Sequence, residues 1–312
     1  MFALALTLIG LVLFEIVSSI DNAVVNADVL ATMKSKKAKR FFLTWGILFA
    51  IFVVRGLLPS VIVFFATPDI GILGALSAIW QSDAGVTSAI EDATPVILMA
   101  GGMFLVLLWA HWLFMEDKKF GLPHEYYVQT YGAVWFYAFA ALLLVLTLFE
   151  IGRLVIVNPM MLALSASIGF GAFFVTQGFK DNAEVVEERL IEKGKPSVMS
   201  DWAKVFFLEV IDLAFSIDGV IGAFAFTTVV PLILVGNGIG AIVVRQLTVL
   251  GVERIRSYEY LKNGAMYSIA FLGAMMLLEA FGADVPAWAS PVITLVVVGY
   301  FFWRSVAENK NK

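Results

Sequence analysis

Residues 15–22 read EIVSSIDN, and residues 212–219 read DLAFSIDG. Each copy sets an acid six positions ahead of an aspartate, ends its core in Ser-Ile-Asp, and lies inside an apolar run. The apolar run that follows repeats as well. Val53-Val54-Arg55-Gly56-Leu57 answers Val243-Val244-Arg245-Gln246-Leu247, so in both copies the Asp-bearing segment precedes the Arg-bearing one. The shared order makes duplication the economical reading.

The runs around these motifs are membrane-length. Of 312 residues, 61% are hydrophobic and 15% charged, where a soluble domain carries about 25% charged residues. Mean hydropathy is +0.91. About 20 apolar residues cross a hydrocarbon core of about 30 Å. Backbone in lipid must satisfy its own hydrogen bonds, so these runs are helices. A soluble helical bundle would need several separated windows to mislead at once. The expected fold is all-α, a polytopic membrane protein with nine spans at 2–32, 41–66, 93–115, 131–151, 158–178, 203–228, 232–251, 264–281 and 287–304. Residues 70–80 are too short to cross and predict a re-entrant or interfacial helix.

Charge placement orients the chain. Lys34, Lys36, Lys37, Lys39 and Arg40 mark a cytoplasmic loop. With nine alternating spans, loops 116–130, 179–202 and 252–263 and the C-terminus share that side. They carry Lys118, Lys119, Lys180, Arg189, Lys193, Lys195, Arg254, Arg256, Lys262, Lys310 and Lys312. Loop 67–92 has no Lys or Arg, and Arg153 is the minor exception. The N-terminus is then outside and the C-terminus inside. Residues 1–17 lack the basic n-region of a cleavable signal. On this count the two motif helices cross in opposite directions, which predicts an inverted repeat, a recurring transporter architecture. Residues 1–312 form a single membrane domain: 1–115 the first repeat, 116–202 connecting spans and cytoplasmic loop, 203–286 the second, inverted repeat, and 287–312 the final span and cytoplasmic tail.

Glu15, Asp21, Glu209, Asp212 and Asp218 fall within apolar helices, where an uncompensated carboxylate costs several kcal/mol. Such groups face a polar cavity, a cation or each other. Six residues of helix rise about 9 Å and turn about 240°, so Glu15 and Asp21 share no face unless the helix breaks or each meets the other repeat. Ser18 and Ser19 offer competing side-chain hydrogen bonds that favour a break. Glu15 and Asn22 do share a face, as do Glu209 and Asp212. Carboxylates, the Asn22 amide and carbonyls of broken helices make an all-oxygen site that suits Mn²⁺, Mg²⁺ or Ca²⁺. Arg55 and Arg245 are expected to form gating or structural ion pairs with the aspartates rather than to touch substrate.

Weaker candidates surround these. Asn26 and Asp28 can line an inner vestibule, and Glu279 can approach the site. Glu150 reads as interfacial, Gln177 as a helix-end cap, Asn237 as the entry of span seven, and His111, between Trp109 and Trp112, as part of an aromatic belt. Residues 180–200 read as a charged cytoplasmic helix. The absence of cysteine excludes thiolate metal sites and thiol chemistry. Two histidines leave little for a His-rich site, and no phosphate-binding glycine loop is present, GNGIG at 236–240 lacking a preceding strand. The basic residues are topology flanks and imply no nucleic acid.

The motif residues 15–25 (EIVSSIDNAVV) and 209–224 (EVIDLAFSIDGVIGAF), with the paired Val-Val-Arg segments, resemble the TerC family of bacterial membrane proteins, particularly its longer, DUF475-like branch. The resemblance covers nearly the whole chain. It implies a place among LysE-type transporters, manganese export across the bacterial cytoplasmic membrane, and metal-binding roles for Glu15, Asp21, Glu209, Asp212 and Asp218. Gly219 departs from the Ser common at that place in relatives, a missing hydroxyl that bears on metal preference. The expected function is therefore divalent metal ion transport, Mn²⁺ first and Ca²⁺ or Mg²⁺ next, by alternating access, with no enzyme activity and no resident cofactor. Membrane lipids and a second copy of the chain, as a homodimer, are the other expected partners. The alternative is a membrane scaffold in a metal or tellurite stress-response or protein-insertion complex.

Overall fold

The computed structural model describes residues 2–46, 49, 55–77, 84–154, 158–191, 200–250 and 258–309. All regular structure among them is helical. The chain opens with α1 (Phe2–Ser18) and α2 (Ile20–Thr32), then α3 (Lys36–Phe41) and a π turn over Phe42–Gly46. It continues through α4 (Arg55–Ala66), a 3₁₀ turn at Pro68–Ile70, α5 (Gly71–Ser77) and α6 (Ala84–Met115). Next come α7 (Pro123–Gly132), a 3₁₀ turn at Ala133–Trp135, α8 (Phe136–Arg153) and α9 (Pro159–Ile191). The chain ends with α10 (Asp201–Ala223), α11 (Val230–Leu250), α12 (Leu261–Ala280) and α13 (Ala289–Asn309).

Among the described residues, five segments are long and apolar enough to cross a membrane: Asp92–Met115, Pro123–Arg153, Pro159–Asn182, Leu261–Ala280 and Ala289–Asn309. The pair α1 and α2, bent by 46°, makes a sixth if it counts as one span. The chain is thus a polytopic helical membrane protein. The described residues do not extend this count to nine. α10 carries Glu209, Asp212 and Asp218 along its length, the described apolar stretch of α11 covers Val230–Gln246, and the expected span 41–66 runs partly outside the described residues. Outward-facing apolar side chains mark the lipid contact. Leu142, Val145, Leu146 and Phe149 of α8 are 59–60% exposed, an apolar stripe whose natural solvent is hydrocarbon.

The interior is built around α6, which packs against α12, α9, α4 and α10. Small residues set the α6–α12 spacing. A Cβ on Gly102 would lie 2.8 Å from Leu277 Cγ, and one on Gly273 would lie 3.0 Å from both Leu105 Cβ and Val106 N. Close backbone approach through glycine is how helices associate where no hydrophobic drive separates protein from lipid. α1 packs on α11 and α13, while α10 packs on α4, α2 and α9. α5, the short helix expected near residue 75, buries Ala75 against Val63 and Val230.

The ends of the bundle sort as the charges imply. Asp201 at the start of α10 accepts from the backbone of Lys34 at 3.0 Å and Ser35 at 2.6 Å. At the other end of α10, the Ala225 carbonyl accepts from Ser290 Oγ at 2.6 Å, beside the start of α13. The far end of α13 meets the 116–122 loop: Arg304 donates to the Gly121 carbonyl, and Lys119 pairs with Glu259 and, at 3.1 Å, with Glu308. Lys262 pairs with Glu116 at 2.8 Å. Since α10 and α13 share one end, their other ends gather the basic loops at 34, 119 and 262 on one side. α9 has 33 residues, about 50 Å of helix, so its C-terminal part outruns a hydrocarbon core. The charged helix expected beyond residue 180 is this continuation. A separate loop from 179 is a misreading of the same segment, because the apolar window ends before the helix does.

Candidate carboxylate site

Ser19 is where the first motif departs from a helix. Its φ of −94° and ψ of 7° lie outside the α region, and α2 starts one residue later. Its hydroxyl donates to Glu15 Oε1 at 2.8 Å, and the Ser18 hydroxyl reaches the Glu15 carbonyl at 3.3 Å. Glu15 and Asn22, expected on one face, both turn to α10, from either side of this bend.

There the two motifs meet reciprocally. Asn22 Nδ2 donates to Asp212 Oδ1, and Asn26 Nδ2 donates to the same oxygen at 3.1 Å. In the aligned motifs Glu15 matches Asp212, and Asn22 matches Gly219. The complementary contact is present: a Cβ on Gly219 would lie 2.7 Å from Glu15 Oε2. Thus the residue at the last motif position touches the acid of the other motif, twice. One contact pairs a long side chain, Asn22, with the shorter acid. The other pairs glycine with the longer acid. Gly219 therefore acts by making room for the Glu15 carboxylate, rather than through the hydroxyl it lacks. Gly240 of α11 closes the opposite wall, where a Cβ would lie 2.6 Å from Glu15 Cβ and 3.0 Å from the Val12 carbonyl.

All of these groups are interior. Glu15 is fully buried, and Asn22, Asn26, Asp212 and Asp218 are buried. Asp218 pairs with Lys180 of α9. Lys180, expected in a cytoplasmic loop, is the residue that sequence reasoning missed. Glu209 stands apart: half-buried, it lies against Gly46 of the π turn, and neither carboxylate oxygen has a hydrogen-bond partner among the described residues. The amide oxygens of Asn22 and Asn26 are likewise without partners there. Asn237, expected at a membrane boundary, is instead completely buried between the Gly236 and Gly240 contacts with α1, both amide atoms without partners among the described residues.

The side chains of Asp21 and Arg55 lie outside the described residues. Arg245 is half-buried on α11 and forms no ion pair among them. No three acids or histidines among the described residues stand close enough to hold a metal ion. Two amides hold Asp212 and a lysine holds Asp218, so cation capture requires both acids to exchange partners. His111 packs edge-on to Phe136, its Nδ1 3.7 Å from Glu116.

Helices of this length, with carboxylates buried where a broken helix crosses a second motif helix, define an integral, multi-pass, all-helical membrane protein. Residues 20–312 match the family described as "Protein of unknown function (DUF475)". The chain belongs to this TerC-related family. A segment of 111 residues, 36% of the chain, is 29% identical to the uncharacterized membrane protein YceF of Bacillus subtilis (strain 168). That match spans 42% of the relative's length. No solved structure matches.

Proposed function

We propose that this protein is a divalent cation transporter of the LysE-type group, exporting Mn²⁺ ahead of Ca²⁺ or Mg²⁺ from the bacterial cytoplasm by alternating access. One observation carries the reading. Glu15 and Asp212, matching acids of the two motifs, are buried where the break between α1 and α2 meets α10, Glu15 against Gly219 and Asp212 against Asn22. Burying carboxylates in a membrane interior is costly and is sustained by function. Amide and carboxylate oxygens are the donors that Mn²⁺, Mg²⁺ and Ca²⁺ accept.

The inverted repeat belongs to this proposal, and the packing supports it. α1 lies on α11 as α10 lies on α4, α1 lies on α12 as α10 lies on α6, and α6 meets α12 directly. These three contacts map onto one another when the halves are exchanged. A near-symmetric pair of halves offers two packings open to opposite sides, with the site at their junction. Nine spans, an outer N-terminus, the division at residues 115, 202 and 286, and the absence of enzyme activity or a resident cofactor complete the reading. Asp21, by its match to Asp218, joins Glu15, Asn22, Asp212 and Asp218 as a ligand, with Glu209 at the margin. Arg55 and Arg245 steady the helices.

The test is reconstitution of the purified chain into vesicles, with Mn²⁺, Ca²⁺ and Mg²⁺ fluxes followed in parallel. Mn²⁺ flux above protein-free vesicles, lost in Asp218→Asn with the fold retained, is the expected result. No flux of any of the three ions would remove the transport reading and leave the scaffold.

A further inference from the structure

Lys180 lies on α9 next to two exposed residues, Asp181 and Asn182, although Val186 further along the helix packs back against α2 and α10. The Lys180 ammonium nevertheless reaches inward to Asp218, and the two side chains are 12% and 11% exposed. α9 packs on both α2 and α10, the helices that carry the candidate site. The lysine therefore has its root beside exposed residues and its charge on a site carboxylate.

That placement suits a movable charge better than a fixed brace. A lysine is a compact charge on a flexible four-carbon stem, and such stems let the ammonium shift toward water while the backbone stays in place. Asp218 needs a nearby positive charge, because an isolated carboxylate in this setting is expensive. A divalent ion meets the same need with twice the charge. Both cannot occupy the carboxylate in the same geometry.

We propose that Lys180 is a tethered cation that holds Asp218 whenever substrate is absent and is displaced by the incoming divalent ion. Lysine and substrate alternate on one carboxylate. The proposal rests on the transport reading above and adds to it a coupling device: the unloaded carrier stays charge-balanced at Asp218 and can return. Removing the lysine strips a competitor from the ion site, so substrate binds more tightly, but the empty carrier is left with an uncompensated acid and returns slowly. Net export falls, whereas exchange of one substrate ion for another, which never requires the empty form, persists.

The experiment uses the full purified chain with Lys180→Gln and Lys180→Arg, and Mn²⁺ as the probe. Mn²⁺ binding is measured in detergent, and net Mn²⁺ efflux and Mn²⁺/Mn²⁺ exchange in vesicles. If the lysine occupies Asp218 about nine-tenths of the time, Lys180→Gln should bind Mn²⁺ roughly tenfold more tightly. Its net efflux should fall at least about tenfold while exchange stays near the wild-type rate. Lys180→Arg, a forked donor that grips a carboxylate at two points, should bind Mn²⁺ more weakly than wild type. It carries the test alone if Lys180→Gln does not fold. A brace that never moves predicts no tightening in one variant and no weakening in the other, and unchanged affinities would overturn the proposal. So would loss of exchange together with net efflux. Wild-type protein that neither binds nor moves Mn²⁺ would overturn the transport reading itself, and this role with it.

Discussion

Buried acids in two regions of this molecule live very differently. Glu125, fully buried near the basic end of the bundle, has one oxygen accepting from the Gly121 backbone at 2.7 Å and the Asn263 amide at 2.8 Å. Its surroundings are braced: Asn263 also donates to the Lys119 carbonyl, and Lys119 and Lys262 reach Glu308 and Glu116. The neighbouring helices α6 and α12 are continuous and glycine-packed. Glu15 and Asp212 sit instead beside a broken helix, Glu15 accepting from the Ser19 hydroxyl and Asp212 from two amides whose own oxygens find nothing among the described residues. A buried charge within a rigid, cross-braced frame stabilises one arrangement. Spare oxygens occur in both places, Glu125 Oε1 included, so the difference lies in the frame: a buried charge at a helix break is suited to exchanging partners. The first is structure and the second is the candidate site.

The sharpest way to break this contrast is at Asp212. Asp212→Asn keeps the shape and removes the charge. It should cut Mn²⁺ flux by roughly 100-fold, equivalent to a few kcal/mol of lost interaction, while the detergent-purified protein keeps its helical content. A variant with wild-type flux would make Asp212 another Glu125.

The reciprocal contact can be tested by swapping it. Gly219→Asn should clash with the Glu15 carboxylate and cost about 1–3 kcal/mol, as overpacking does. Adding Glu15→Asp should recover much of that loss, because the pair then reproduces Asn22 with Asp212. Additive losses in thermal unfolding would contradict the proposed symmetry.

On the braced side, Asn263→Ala removes a donor from the buried Glu125 carboxylate. It should cost about 1–3 kcal/mol of stability and leave Mn²⁺ affinity unchanged. A change in affinity would mean that the two regions are coupled.

The smallest effect is expected at Glu116. Burial raises its carboxyl pKa, but the Lys262 ammonium and His111 overcome this and bring it down to about 2 from an ordinary 4.5. A depressed carboxyl contributes stability above its unfolded pKa and loses it as pH falls through the folded value, here between about 4.5 and 2. Lys262→Gln should remove about 1 kcal/mol, the scale of a partly exposed pair, and flatten the fall in unfolding temperature across that window.

The sequence reveals the membrane class because an apolar window is a property of consecutive residues. Segments 93–115, 158–178 and 287–304 fall on α6, α9 and α13 with ends displaced by a few residues. The break beside Ser18 and Ser19 was legible for the same local reason. What was not legible is which acid meets which donor, since that depends on the register between helices far apart in the chain. Lys180 was hidden because its backbone lies just past the window 158–178 read from the sequence, while the apolar helix runs on to Asn182 and the stem reaches inward to Asp218. Gly219 read as a missing hydroxyl, and only the neighbouring helix reveals that the position must be small for Glu15. Glu125 and Asn263 are ordinary loop and helix-start residues until α7 and α12 are brought together.

The claim on which the rest depends is that a divalent ion takes the place of the amides and the lysine on these acids. Equilibrium Mn²⁺ binding to purified wild-type protein and to Asp212→Asn addresses it without any need for turnover. Saturable binding that the substitution abolishes is the predicted outcome. Equal binding by both proteins, or by neither, would contradict the account.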